Sequence, residues 1–175
     1  MPFTDLESPT YAESTQAVSV PASLNISASV EIEADVRRVL YALATPEYIE
    51  AWLQLPDVDR IECHADRRSF DKFRIDLFSS DIRYRSIHTS CLLSKPNKVT
   101  YLWDRDPNAS GFRSIVEIRL WNHLPKCCLN LRHLGLCGRE EGEWHSKVWN
   151  RSLTALRGLI EGTGQIQTNA TCMSG

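Results

Sequence analysis

Residues 129–160 read LNLRHLGLCGREEGEWHSKVWNRSLTALRGLI, and the spacing of their apolar residues changes once along the stretch. Leu129, Leu131 and His133 alternate with polar residues, which predicts a strand with one buried face. The residues that follow are spaced as on one face of a helix, which we expect to end at Gly162. That face consists of His145, Trp149, Leu153, Leu156 and Ile160. The stretch therefore predicts a strand that leads into a long closing helix.

Upstream of this stretch, the same reasoning predicts one strand, two short helices and a series of further strands. Leu24 to Ile32 alternate in polarity, and Asp35 is a suitable N-cap for the first short helix. Pro46 suits the first position of the second helix. The later strands are expected near residues 61–65, 73–77, 82–93, 99–103 and 114–120. Short connections between them favour an antiparallel sheet covered by the closing helix, so the predicted fold class is α+β.

The composition is that of one ordinary globular domain. The chain has 175 residues, of which 42% are hydrophobic, and its formal net charge is −2. That charge argues against a generic nucleic-acid-binding protein, which usually has a basic excess. No apolar run reaches about 18 residues, so no transmembrane helix is expected. Met1 to Glu13 lacks the basic and apolar blocks of a secretory signal, so the expected compartment is the cytoplasm.

The two ends of the chain differ in composition from its middle. Residues 1–22 are rich in Ser, Thr, Pro and Ala and show little periodicity, which predicts a disordered leader. Residues 162–175 have a similar character and are expected to form a disordered tail. The folded domain is therefore expected to cover residues 23–161.

The six cysteines are expected to be thiols, because none forms a C-x-x-C pair and the expected compartment is reducing. Cys127 and Cys128 are adjacent, so on a strand they point to opposite faces and are poor ligands for one metal ion. We predict no metal site and no cofactor. The charged residues, such as Arg60 beside Glu62 and Asp81 near Arg83, predict a sheet surface of mutually paired charges.

Three segments share a pattern with a known family. They are Val30–Asp35 with Ala42-Leu43-Ala44-Thr45-Pro46-Glu47 and Trp52; Val99-Thr100-Tyr101-Leu102-Trp103; and Leu129–Gly135 with Glu143-Trp144-His145 and Trp149. In order and spacing they resemble the START-like (SRPBCC) superfamily, and within it the family named for the activator of the heat-shock-protein-90 ATPase. The likeness spans nearly all of the expected domain.

The resemblance implies a helix-grip fold, in which a curved antiparallel sheet of about six to seven strands grips the long helix. It also implies a cavity between that helix and the sheet, where many superfamily members bind lipids or other apolar molecules. The alternative for each aromatic candidate is ordinary core packing. The candidate ligand-binding residues are Trp52, Phe73, Tyr101, Trp103, Ile118, His133, His145 and Trp149.

The sequence departs from the family pattern at two places. Ala65 to Phe70 contains no glycine, although the family has a glycine-rich hairpin there. The strand after it carries Arg83, Arg85 and His88, which would make the cavity more polar if they faced it.

His133 and His145 lie on faces that are both predicted to be buried, where the last strand meets the helix. They could act as an acid/base pair or bind a metal with Glu143. Glu143 and His145 are about 200° apart around the helix, however, so they do not share a face. The alternative is a pair of hydrogen-bonded structural histidines.

Three functions remain open from the sequence. The first is a non-enzymatic protein that binds a small apolar or amphipathic ligand, such as a lipid. The second is an interaction module for a chaperone or another protein, although the family's ATPase activation also relies on an additional N-terminal domain, for which 22 residues are too short. The third is an enzyme of the cyclase or hydrolase type with His133 or His145 as its base. A homodimer is also left open.

Overall fold

The fold is a seven-stranded antiparallel sheet with three helices, seen in a computed structural model that describes residues 23–66, 69–104, 113–123 and 125–171. The strands lie in the order β1-β7-β6-β5-β4-β3-β2, so β1 and β2 occupy opposite edges. The two short helices form the connection between those edges. The elements are β1 (Ser23–Ile32), α1 (Val36–Ala44), α2 (Pro46–Trp52), β2 (Arg60–Asp66), β3 (Ser69–Ser79), β4 (Ile82–Lys95), β5 (Lys98–Asp104), β6 (Arg113–His123), β7 (Lys126–Cys137) and α3 (Arg139–Thr171).

Helix α3 lies against the sheet, where it packs on β1 and β7 and on both short helices. The core lies between α3, the short helices and the inner face of the sheet. A sheet that holds one long helix in this way is a helix-grip α+β fold, so the predicted fold class is confirmed. The five predicted residues of the apolar face of α3 are all buried: His145, Trp149, Leu153, Leu156 and Ile160.

The end of α3 differs from the prediction. The helix does not stop at Gly162 but continues to Thr171, so residues 162–171 of the expected tail are helical. The positive φ angles among the described glycines belong to Gly135 and Gly138, which means that Gly162 does not adopt the left-handed conformation of a helix cap. A glycine inside a helix costs only about 1 kcal/mol relative to alanine, which a long helix can tolerate.

The short helices begin where the sequence predicts. The Asp35 carboxylate accepts a hydrogen bond from the backbone N–H of Arg38 at 2.9 Å, as expected of an N-cap. Pro46 is in the first turn of α2. The indole N–H of Trp52 donates to the carbonyl oxygen of Ala42 at 3.0 Å, so the last residue of α2 is tied to α1.

Asp76 is the centre of the charged outer face of β2, β3 and β4. Its carboxylate accepts a hydrogen bond from the Ser86 hydroxyl at 2.5 Å and lies 3.1 Å from Arg74 and 3.5 Å from Arg83. Burial alone would raise the pKa of Asp76, but the hydroxyl and the nearby guanidinium groups together hold it below its usual value. The predicted pairing of charges is therefore present. It differs in two respects: Arg83 pairs with Asp76 and not with Asp81, and the Asp76 carboxylate at the centre is buried.

Several predictions fall on residues that the structure does not describe. They concern the leader (1–22), the middle of the hairpin (Arg67 and Arg68), the loop at 105–111, and the last four residues with Cys172. Within the described ranges, none of the helices is both long enough and apolar enough to cross a bilayer.

Two glycine substitutions test the backbone of α3 and its approach. Gly158→Ala should raise the free energy of unfolding by about 0.5–1 kcal/mol, because Gly158 is helical and a Cβ there would have no atom within 4 Å. Gly138→Ala should lower it by about 1 kcal/mol or more, because Gly138 has equally open surroundings but a φ of +85°. Urea titration measures both changes, and effects of the same sign would contradict the described backbone.

Candidate functional site

Six of the eight candidate residues surround one small cavity between the sheet and the helices. They are Trp52, Phe73, Tyr101, Trp103, Ile118 and Trp149. The lining also includes Leu43, Ile49, Leu53, Ile75, Thr89 and Val116. Most of this wall is apolar, and its polar atoms are the hydroxyl groups of Thr89 and Tyr101 and the indole nitrogens.

Strand pairing explains why these side chains meet. Phe73, Thr89 and Trp103 are directly opposite one another on β3, β4 and β5, and residues in such a row project to the same side of a sheet. Tyr101 is two positions before Trp103, so it faces the same side. Trp149 closes the cavity from α3. The inner face of the sheet therefore carries an aromatic row below the helix.

The cavity is small, with a volume of about 40 Å³. On this measure a water molecule needs about 10–15 Å³, whereas sites for small molecules usually measure about 300–1,000 Å³. The space between helix and sheet is thus mostly filled by side chains. A ligand of several rings does not fit there unless some of those side chains move.

A larger groove of about 500 Å³ adjoins the cavity on the side of α1. Phe73 and Tyr101 line both spaces, so these two rings form the partition between groove and cavity. Burial is the main cause that raises the pKa of the Tyr101 phenol, which is therefore neutral at physiological pH. The remaining groove residues are Leu40, Ala44, Cys91, Ser94 and Val99.

The basic residues of β4 do not make the cavity polar. Arg83, Arg85 and His88 are exposed, and none of them lines the cavity. His88 lines a polar cleft of about 460 Å³ together with His64 and other residues of β2–β4, and this cleft shares Phe73 and Thr89 with the cavity. The cavity and the groove therefore keep their apolar character.

His133 is buried beside the cavity and does not line it. The Trp149 indole N–H donates to His133 Nδ1 at 3.0 Å, and His133 Nε2 lies 2.7 Å from the Ser114 hydroxyl. An indole N–H can only donate, so Nδ1 accepts and the proton of the neutral imidazole is on Nε2. The Ser114 hydroxyl oxygen accepts a hydrogen bond from that Nε2–H, and its O–H donates one to the carbonyl oxygen of Trp103 at 3.2 Å. Both ring nitrogens are thus used within the protein.

His145 is also buried outside the cavity lining. Its Nδ1 lies 2.9 Å from the Glu141 carbonyl oxygen, so Nδ1 donates, and its ring packs edge-to-face on His133 with centroids 4.5 Å apart. Glu143 is exposed and pairs with Arg139 at 2.7 Å. The suggested site of two histidines with Glu143 is therefore not assembled, and both histidines make structural hydrogen bonds.

The described cysteines are thiols, as expected. Burial, assisted by the nearby Glu50 and Glu47 carboxylates, raises the pKa of Cys63 to about 12. Burial likewise raises the pKa of Cys127 to about 11. Both thiols are thus protonated at neutral pH, which makes them weak nucleophiles.

One further cluster was not foreseen from the sequence. Glu31, His123 and Cys128 place one donor atom each within 4.8 Å of one another at the β1–β7–β6 edge. One oxygen of the Glu31 carboxylate already pairs with Lys126 at 3.4 Å, so the negative charge of the cluster is partly compensated within the protein.

Comparison with known proteins supports the fold and indicates no activity. No family model and no curated protein matches the chain. A Chromobacterium violaceum protein of known structure superposes with a TM-score of 0.67 at 19% identity, over 78% of this chain and 96% of that one. A Mesorhizobium loti protein gives 0.65 at 19%, over 80% and 98%, and a Nitrosomonas europaea protein gives 0.64 at 15%, over 80% and 96%. At such identities the likeness shows the shared fold alone.

The sequence did not predict the groove, and it did not predict that Thr89 lines the cavity. The groove is built by α1 and by the ends of β4 and β5, which are far apart in the chain, so no local pattern marks it. Thr89 could have been found from strand pairing, because it lies directly opposite both Phe73 and Trp103.

Ser114→Ala tests the hydrogen-bonded chain behind the cavity. The substitution leaves the His133 Nε2–H without its acceptor and the Trp103 carbonyl without this donor, so it should lower the free energy of unfolding by about 1–3 kcal/mol. Ser29→Ala, at an exposed position of β1, is the control and should change it by about 0.5 kcal/mol or less. If urea titration gives the same free energy of unfolding for the two variants, the hydrogen bonds of Ser114 do not contribute to stability.

Proposed function

We propose that this chain binds a small, largely apolar molecule in the groove beside α1, and that the inner end of the molecule reaches the cavity behind Phe73 and Tyr101. The observation that carries the proposal is an apolar groove of about 500 Å³ that shares two aromatic walls with the cavity. Its volume is within the range of about 300–1,000 Å³ typical of small-molecule sites. The START-like resemblance supports the same class of function, since many members of that superfamily bind apolar molecules.

The partition between groove and cavity is built from side chains that can turn. Phe73 is buried, whereas Tyr101 is partly exposed. Each ring is positioned by two side-chain torsions, so a rotation would join the two spaces without moving the sheet. A ligand in the joined space would replace the apolar contacts that the rotated rings give up.

The chemistry of the walls favours binding over catalysis. Among the described residues that line the cavity and the groove, the titratable side chains are Tyr101 and Cys91. The pKa of Tyr101 is raised by burial, so it is a poor general base at neutral pH. His133 and His145 lie outside this lining, and their hydrogen bonds to neighbouring groups serve the fold.

Ala44→Phe should block the groove. Ala44 is exposed at the end of α1 and lines the groove, so a phenyl ring there would occupy space needed by the ligand without disturbing the core. The probe is prodan, a fluorescent naphthalene ketone, which we expect to bind the unaltered protein with a dissociation constant of about 0.1 mM or lower. The substitution should weaken that binding about tenfold or more.

Ala51→Phe is the matched control, because Ala51 is exposed on α2 and lines neither the groove nor the cavity. Its dissociation constant for prodan should stay within about twofold of the unaltered value. Melting temperatures of both variants check that they fold. Equal binding by the two variants would place any bound molecule elsewhere, and absence of binding to the unaltered protein would refute the proposed function.

A further inference from the structure

Three tryptophans line the cavity, and two of their indole N–H groups are used within the protein. Trp52 donates to the Ala42 carbonyl oxygen and Trp149 donates to His133 Nδ1, both at 3.0 Å. The Nε1 of Trp103 is buried and has no hydrogen-bond partner among the described residues. Trp103 as a whole is only 5% exposed, so solvent does not compensate for the missing acceptor.

A buried donor without an acceptor is costly. The desolvation penalty is about 1–3 kcal/mol, and buried indole N–H groups usually have a partner for that reason. The cavity whose wall contains Trp103 can hold a small group. A ligand group that enters it and brings an acceptor to Nε1 removes the penalty, whereas a group without an acceptor leaves the penalty in place.

The surroundings of Trp103 decide which acceptor fits. An indole N–H only donates, so the matching ligand atom is an oxygen or nitrogen acceptor. The described residues that line the cavity include no Lys, Arg or His, and the basic side chains of the adjoining cleft are exposed. A carboxylate or phosphate buried in the cavity would therefore have no counter-charge in the lining. A neutral acceptor, such as the oxygen of a ketone, ester or amide, carries no such cost.

Thr89 adds a second polar group at the same place. It lies directly opposite Trp103 on the neighbouring strand, and its hydroxyl donates to the Phe73 carbonyl oxygen at 3.5 Å, which is a long hydrogen bond. Trp103 and Thr89 therefore place two polar side-chain groups on neighbouring strands in the lining, most of which is apolar.

We infer that the site selects apolar molecules with a neutral carbonyl-type acceptor at the inner end, and that Trp103 donates the hydrogen bond that recognises it. This inference rests on the proposed function, because it concerns the molecule that enters from the groove. It makes Trp103 a specificity-determining residue. Free fatty acids and phosphorylated lipids, whose charged groups would have to be buried there, are disfavoured as inner-end ligands.

The test compares two probes of nearly the same shape. One is prodan, and the other is its propyl analogue, in which a methylene group replaces the ketone. The unaltered protein should bind prodan about tenfold more tightly than the propyl analogue, as expected for one buried hydrogen bond. In Trp103→Phe that preference should fall to about twofold or less, and the emission of bound prodan should move to shorter wavelength because its carbonyl loses the hydrogen bond.

Trp52→Phe is the matched control. It removes an indole from the same cavity, but that indole already donates to Ala42, so it should weaken both probes and leave the preference for the ketone unchanged. If Trp103→Phe keeps the full preference, the inference is wrong while the proposed function stands. If the unaltered protein binds both probes equally, the inference is wrong whether or not the variant folds. If neither probe binds, the proposed function fails and the inference fails with it.

Discussion

A chain of hydrogen bonds from Trp149 through His133 and Ser114 to the Trp103 carbonyl oxygen holds the long helix on the sheet. It joins α3 to β7, β6 and β5 in turn. The direction of the hydrogen bonds is fixed at Trp149, because an indole N–H can only donate. His133 and Ser114 then each accept one hydrogen bond and donate another. In the buried interior such bonds are stronger than in water, and breaking one leaves an unpaired group. These hydrogen bonds and the buried apolar side chains of α3 together fix the position of the helix, and so the roof of the cavity.

The same hydrogen-bonded chain positions Trp103, the residue that we propose recognises the ligand. Ser114 holds the backbone of Trp103, and the Trp103 ring packs edge-to-face on Trp149 and His133 with centroids 5.3 and 6.1 Å apart. The indoles of Trp52 and Trp149 donate within the protein, while that of Trp103 is held in the cavity wall. A site with one fixed donor in an apolar wall discriminates by the acceptor of the ligand, because an unpaired donor costs more than a lost apolar contact.

Periodicity was enough to predict the elements and the apolar face of α3, whereas the six residues around the cavity were expected from the resemblance to the START-like superfamily. It could not predict how much of the space is filled, because alternation shows which face a side chain occupies and not how far neighbouring rings extend. His133 and His145 were placed on the correct buried faces, but their partners come from other strands and turns, which no local pattern reveals. Gly162 was misjudged because glycine can end a helix or lie within one, and the spacing of apolar residues does not distinguish the two.

The most direct measurement is a nitrogen-15 spectrum of the indole N–H groups during titration with prodan. The five tryptophans give five such signals, which single substitutions assign. On binding, the Trp103 proton should move downfield as it donates to the ketone oxygen. The Trp52 and Trp149 protons should shift less, because their acceptors at Ala42 and His133 are unchanged. A saturated complex in which the Trp103 signal stays in place would contradict the account.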